Sequence, residues 1–91
     1  MFGNIQLAEF EGLTKFPQKA ASAWSAVEGL IGATYKPLLF VGTRTVRGTN
    51  YVFIAEETLI TNPPERRLVL LEVNEFEGEF DVVESSITRI A

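Results

Sequence analysis

The stretch Arg44-Thr45-Val46-Arg47-Gly48-Thr49-Asn50-Tyr51 decides how this chain folds. An apolar run, residues 38 to 41, precedes it and stops at Gly42; a second, residues 51 to 55, follows and is rich in aromatic and β-branched side chains. Both runs suit strands. Between them Gly48 and Asn50 tolerate the backbone angles of a reversal. The stretch therefore predicts the tip of a β-hairpin, with strands over residues 35 to 43 and 49 to 60.

Downstream of the hairpin, Thr61-Asn62-Pro63-Pro64-Glu65 predicts a turn, because two prolines deny donors to any ladder and push Asn62 to extended angles. A strand over residues 66 to 74 follows, then the turn Glu75-Phe76-Glu77-Gly78-Glu79 and a last strand over residues 80 to 90. Upstream, Ala20, Trp24, Val27 and Ile31 fall at i, i+4, i+7 and i+11, so the spacing predicts one helix over residues 14 to 33. Ala23 and Leu30 widen that stripe. Pro17 suits the first turn, Gly29 weakens the helix by about 1 kcal/mol relative to Ala, and Gly32 fits a C-cap. Ile5, Leu7, Ala8 and Phe10 give a broken alternation for a short N-terminal strand within residues 1 to 13. A lone helix of this length needs a surface to lie on, and hairpin-joined strands supply an antiparallel meander.

Within the hairpin, Val46, Gly48, Thr49, Asn50 and Tyr51 fall in register with the Gln-x-Val-x-Gly signature and following Thr-Asn-Tyr of the cystatins, inhibitors of papain-like cysteine proteases. Arg44 stands where that signature has Gln. This run resembles the cystatin central hairpin, and the order strand, helix, four strands is similar to the cystatin layout. The resemblance implies an α+β, cystatin-like fold: one α-helix packed across a curved four- to five-stranded antiparallel β-sheet, in a single domain over residues 1–91. It also implies a wedge built at one end of the sheet from an N-terminal trunk around Gly3, the first hairpin tip (Arg44, Thr45, Val46, Arg47, Gly48) and a second loop. Cystatins often carry Pro-Trp in that second loop; here Phe76 is its one large apolar residue. Arg44 places a strongly hydrated charge where the family has a neutral amide, which predicts weak inhibition.

Composition narrows the function classes. The 91 residues are 46% hydrophobic, which suits one globular core. A net charge of −4 and a pI near 4.7 argue against nucleic acid and anionic membrane, which both want a cationic patch. Neither Cys nor His occurs, so disulfides, thiolate metal sites and imidazole general bases are excluded. No apolar run reaches membrane-spanning length. No signal-peptide pattern follows Met1, which predicts a cytosolic chain if Met1 is the native start.

Candidate chemistry is sparse. Glu75, Glu77, Glu79 and Asp81 recur at every second position, and on one strand face they could offer oxygen ligands to Ca²⁺. Gly78 interrupts that strand, and the run reads as a solvated acidic hairpin. The serines have no histidine to activate them. The expectation is a non-enzymatic protein-binding domain, with no cofactor and no metal. Its partner would be a protein, in the narrower reading a papain-like cysteine protease. The alternative is a self-associating module without inhibitory activity. Homo-oligomerisation is expected from a second apolar set (Leu38, Phe40, Val52, Ile54, Leu68, Leu70), which alternates with a first (Leu39, Val41, Tyr51, Phe53, Val69, Leu71, Val73). One helix can cover only one of the two.

Overall fold

The computed structural model describes residues 5–7 and 18–91. Its elements run β1 (Gln6–Leu7), α1 (Gln18–Val27), β2 (Ala33–Val46), β3 (Gly48–Leu59), β4 (Glu65–Phe76) and β5 (Glu79–Arg89). The five strands form one antiparallel sheet in the order β1-β2-β3-β4-β5. At the ends joined by the first and last hairpins each long strand reaches past the expected bounds, because these hairpins close tightly, while β3 and β5 each stop one residue short at the other end. Val46 pairs with Gly48 across a tip in which Gly48 takes φ +85°. Phe76 pairs with Glu79 across Glu77-Gly78, both at positive φ, as a two-residue hairpin turn requires. The third turn, at the opposite end of the sheet, contains a cis Asn62–Pro63 bond.

The cystatin-like fold class expected above is not upheld. Among the described residues the helix ends at Val27, six residues short of the expected end at residue 33, so what stands is the coarser description: an α+β chain of one short helix on a long antiparallel meander. The helix shortens for a local reason. The twenty-residue window carries Gly29 and Gly32, and each glycine costs about 1 kcal/mol in a helix interior. After Val27 the chain leaves through a turn, with Gly29 N–H donating to the Ala26 carbonyl and Leu30 N–H to the Val27 carbonyl. Ala20, Ala23, Trp24 and Val27 of the stripe are buried as expected, whereas Ile31 is 99% exposed. Pro17 and Gly3 lie outside the described residues.

The core lies between the helix and one sheet face. Phe53, Leu71, Val69 and Val73 are fully buried there, and Trp24 meets Phe53 edge-on with ring centroids 5.2 Å apart. Burial of each such side chain contributes roughly 1.5–3 kcal/mol. The strict alternation expected for β2 fails at two bulges. Register slips between Pro37 and Leu39, and again between Phe40 and Gly42. One extra residue swaps the two faces of a strand and the second swaps them back. Between the bulges Phe40 therefore turns into the core beside Tyr51 and Phe53, while Leu39 pairs with Ile54 on the outer face.

A wider irregularity shapes β5. Leu70 pairs with Thr88 and Glu72 with Val83, so residues 84 to 87 all stand opposite Leu71. The ladder donor this would strand is the Glu72 N–H, and the Ser86 hydroxyl accepts it at 2.9 Å while donating to the Val83 carbonyl. A side chain thus replaces a backbone carbonyl and keeps a half-buried donor satisfied.

Candidate binding site

The two hairpin tips lie against each other. A Cβ on Gly48 would collide with the Glu75 carbonyl oxygen and lie 3.2 Å from Phe76 Cβ, so glycine is what lets the first tip sit on the second hairpin. The Arg47 guanidinium carbon lies 4.8 Å from the centre of the Phe76 ring, a cation–π contact. Asn74 Nδ2 donates to the Arg47 carbonyl at 3.0 Å. Phe76 remains about a third exposed.

Behind the tips, on the sheet face away from the helix, a polar ladder crosses three strands. Asn74 Nδ2 donates to Asn50 Oδ1 (2.8 Å), and Asn50 Nδ2 donates to Glu72 Oε1 (3.0 Å). Arg44 Nε lies 3.4 Å from the same Glu72 oxygen, an ion pair aimed too poorly for a hydrogen bond, which leaves that buried N–H unsatisfied. The pair is substantially buried, with Glu72 only 12% exposed. Asn50 is buried at the centre of this ladder. Val46, Val83 and Phe76 add apolar walls, Glu79 and Asp81 stand on the β5 side, and together these residues line a cavity of about 540 Å³.

Of the residues singled out in the sequence, Arg44, Val46, Arg47 and Phe76 all border this groove. Gly48 acts as the spacer that joins the tips. Thr45 pairs with Thr49 on the other face and is exposed. Arg44 reaches across to Glu72 in β4. The acidic run divides: Glu75 belongs to the helix-side face with Phe80, where its carboxylate accepts the Gly78 N–H, whereas Glu79 and Asp81 face the groove. Among the described residues no group of acidic side chains could hold a metal ion.

Sequence reading missed Asn50 as a structural group, and Glu72, Asn74 and Val83 altogether; it took Asp81 only as part of a solvated acidic run and Ser86 only as a serine without an activating histidine. The available signal was Asn50 and Asn74, two poor strand formers flanked by apolar runs.

A second polar contact lies under the helix side of the sheet. Tyr35 Oη donates to Glu57 Oε2 at 2.6 Å, and Glu57 is 7% exposed. Burial, then the hydrogen bond and charge of Glu57 and the charge of Glu84, push the Tyr35 hydroxyl up to about 12. Burial and the nearby Glu75 also raise Tyr51. Both phenols are thereby held neutral, which suits structure better than proton transfer at ordinary pH.

No family model, no curated protein and no solved structure matches the chain.

Proposed function

We propose that the chain is a non-enzymatic protein-binding domain that engages its partner with the end of the sheet where the two hairpin tips meet. The observation that carries this reading is the packing of those tips: Gly48 against Glu75 and Arg47 over Phe76 make one preformed surface. A surface ordered before contact loses little entropy on binding. The one hydroxyl of the groove, Ser86, is committed in both directions to the backbone, so it offers no nucleophile. The resemblance of residues 46 to 51 to the cystatin hairpin makes a papain-like cysteine protease the first partner to test. Residual papain activity against increasing concentrations of the native chain and of Phe76→Ala is the assay. Weak, micromolar inhibition that Phe76→Ala diminishes is the expected result. No inhibition by the native chain at high micromolar concentration would retire the protease version and leave the binding domain.

Self-association is the second reading. It is favoured by Leu38, Ile31, Ile60 and Ile90, large apolar side chains that are 39%, 99%, 74% and 52% exposed. Ile60 N–H donates to the Gly32 carbonyl, which brings Ile31 and Ile60 to the same end of the molecule.

A further inference from the structure

We infer that the groove behind the hairpin tips receives a basic side chain, arginine or lysine, presented by the partner protein. The inference rests on the protein-binding reading and not on its protease version.

Charge comes first. Five charged residues line the groove: Arg44, Arg47, Glu72, Glu79 and Asp81. Arg44 is taken up by Glu72, and Arg47 lies over the Phe76 ring at the rim. Glu79 and Asp81 have no ion-pair partner among the described residues. An incoming anion would have to draw Arg44 away from Glu72 and sit opposite two carboxylates.

Hydrogen-bond capacity points the same way. The Asn74 amide nitrogen donates to two acceptors, and the Asn50 amide nitrogen donates to Glu72. Besides Arg44 Nε, the open groups are acceptors: Asn74 Oδ1, Glu72 Oε2 and the two β5 carboxylates have no hydrogen-bond donor among the described residues. The unsatisfied Arg44 Nε donor lies against Glu72 Oε1, so the oxygens on the β5 side are left to an incoming donor. A guanidinium carries five and an ammonium three, with no acceptor on either. An apolar occupant would leave those oxygens dry and unpaired.

Shape agrees with charge. Val46 and Val83 offer apolar wall to an aliphatic stem, as long basic side chains prefer. A space of about 540 Å³ admits such a side chain together with the backbone that carries it. The chain's net charge of −4 adds long-range attraction for a basic segment, weakened by salt.

The test is a titration of the isotope-labelled chain with a capped Gly-Arg-Gly peptide, followed by amide chemical shifts. Shifts are expected at the Asn50 and Asn74 side-chain amides and at the backbone amides of Asp81 and Val83. The same peptide with citrulline, which keeps the shape and loses the charge, should bind at least tenfold more weakly. Asp81→Asn should weaken the arginine peptide at least tenfold, with Glu79→Gln as the second variant if Asp81→Asn disturbs the spectrum elsewhere. Glu77→Gln, an acid on the turn outside the groove, should change nothing. Equal response to the citrulline peptide, equal loss with Glu77→Gln, or no shift at millimolar peptide overturns the inference. The papain assay reads the tips and this titration reads the groove, so either can fail alone.

Discussion

Two glycines at hairpin tips have nearly the same backbone angle and different surroundings. Gly48 stands at φ +85° with the Glu75 backbone in the way of any Cβ, whereas Gly78 stands at φ +84° with nothing within 4 Å. Gly78→Ala therefore carries only the steric cost of a Cβ at left-handed backbone angles, about 1–2 kcal/mol, while Gly48→Ala must also part the tips, adding up to about 1–3 kcal/mol for strain of this kind. Chemical denaturation of both variants should rank Gly48→Ala as clearly the more damaging; equal losses would mean that the tips do not touch in solution. The Tyr35–Glu57 contact sets a second residue-scale expectation. Tyr35 ionises near 10.0 when unfolded and near 12 in the fold, so the neutral phenol is favoured by folding. The stability this contributes is complete below pH 10 and is lost as the pH rises towards 12. Tyr35→Phe should flatten that alkaline decline in unfolding free energy, leaving the smaller part that belongs to Tyr51. A decline of unchanged slope in the variant would remove Tyr35 as its source.

At the scale of elements, the described helix, Gln18–Val27, depends on one large side chain. Ala20, Ala23 and Val27 are small, so Trp24, set edge-on to Phe53, supplies most of the helix's apolar surface. Trp24→Ala is expected to cost about 3–5 kcal/mol, enough to unfold a domain of this size. Circular dichroism during thermal melting is the check, and a midpoint within a few degrees of the parent would place Trp24 in water. The helical stripe was legible from Ala20 to Val27 because periodicity reports the buried face. Ile31 kept the period and not the burial, since the glycines around it end the helix first. In β2 the alternation was legible at both ends and misleading at Leu39 and Phe40, where two bulges exchange the faces.

The whole molecule carries an outer sheet face on which Leu39, Ile54 and Leu70 are only partly buried, and an end at which Ile31 and Ile60 are exposed. Light scattering at high micromolar concentration is expected to give a mass above the 10.1 kDa of one chain. A monomeric mass would remove self-association. Should a larger mass be found, Val46→Gly separates two routes. A dimer that exchanges strands by straightening the first hairpin would shift towards monomer, because β-branched Val46 favours the extended chain and glycine favours the turn. A dimer joined face to face would persist.

The sequence by itself determined the meander. Gly48 and Gly78 mark two reversals and Pro63-Pro64 a third, and the strand runs between them are apolar and β-branched; turn angles and strand preference are local properties that each segment carries with it. It also determined the absence of imidazole and thiol chemistry, since a residue type missing from the chain is missing from every fold of it. Only the tertiary structure decided where the helix stops, which of Leu39 and Phe40 is inside, and how the groove is built. Arg44, Asn50, Glu72 and Ser86 come from four different strands. Their meeting depends on cross-strand register, and register is set by bulges and by burial against distant residues, neither of which is written in the spacing of any one segment.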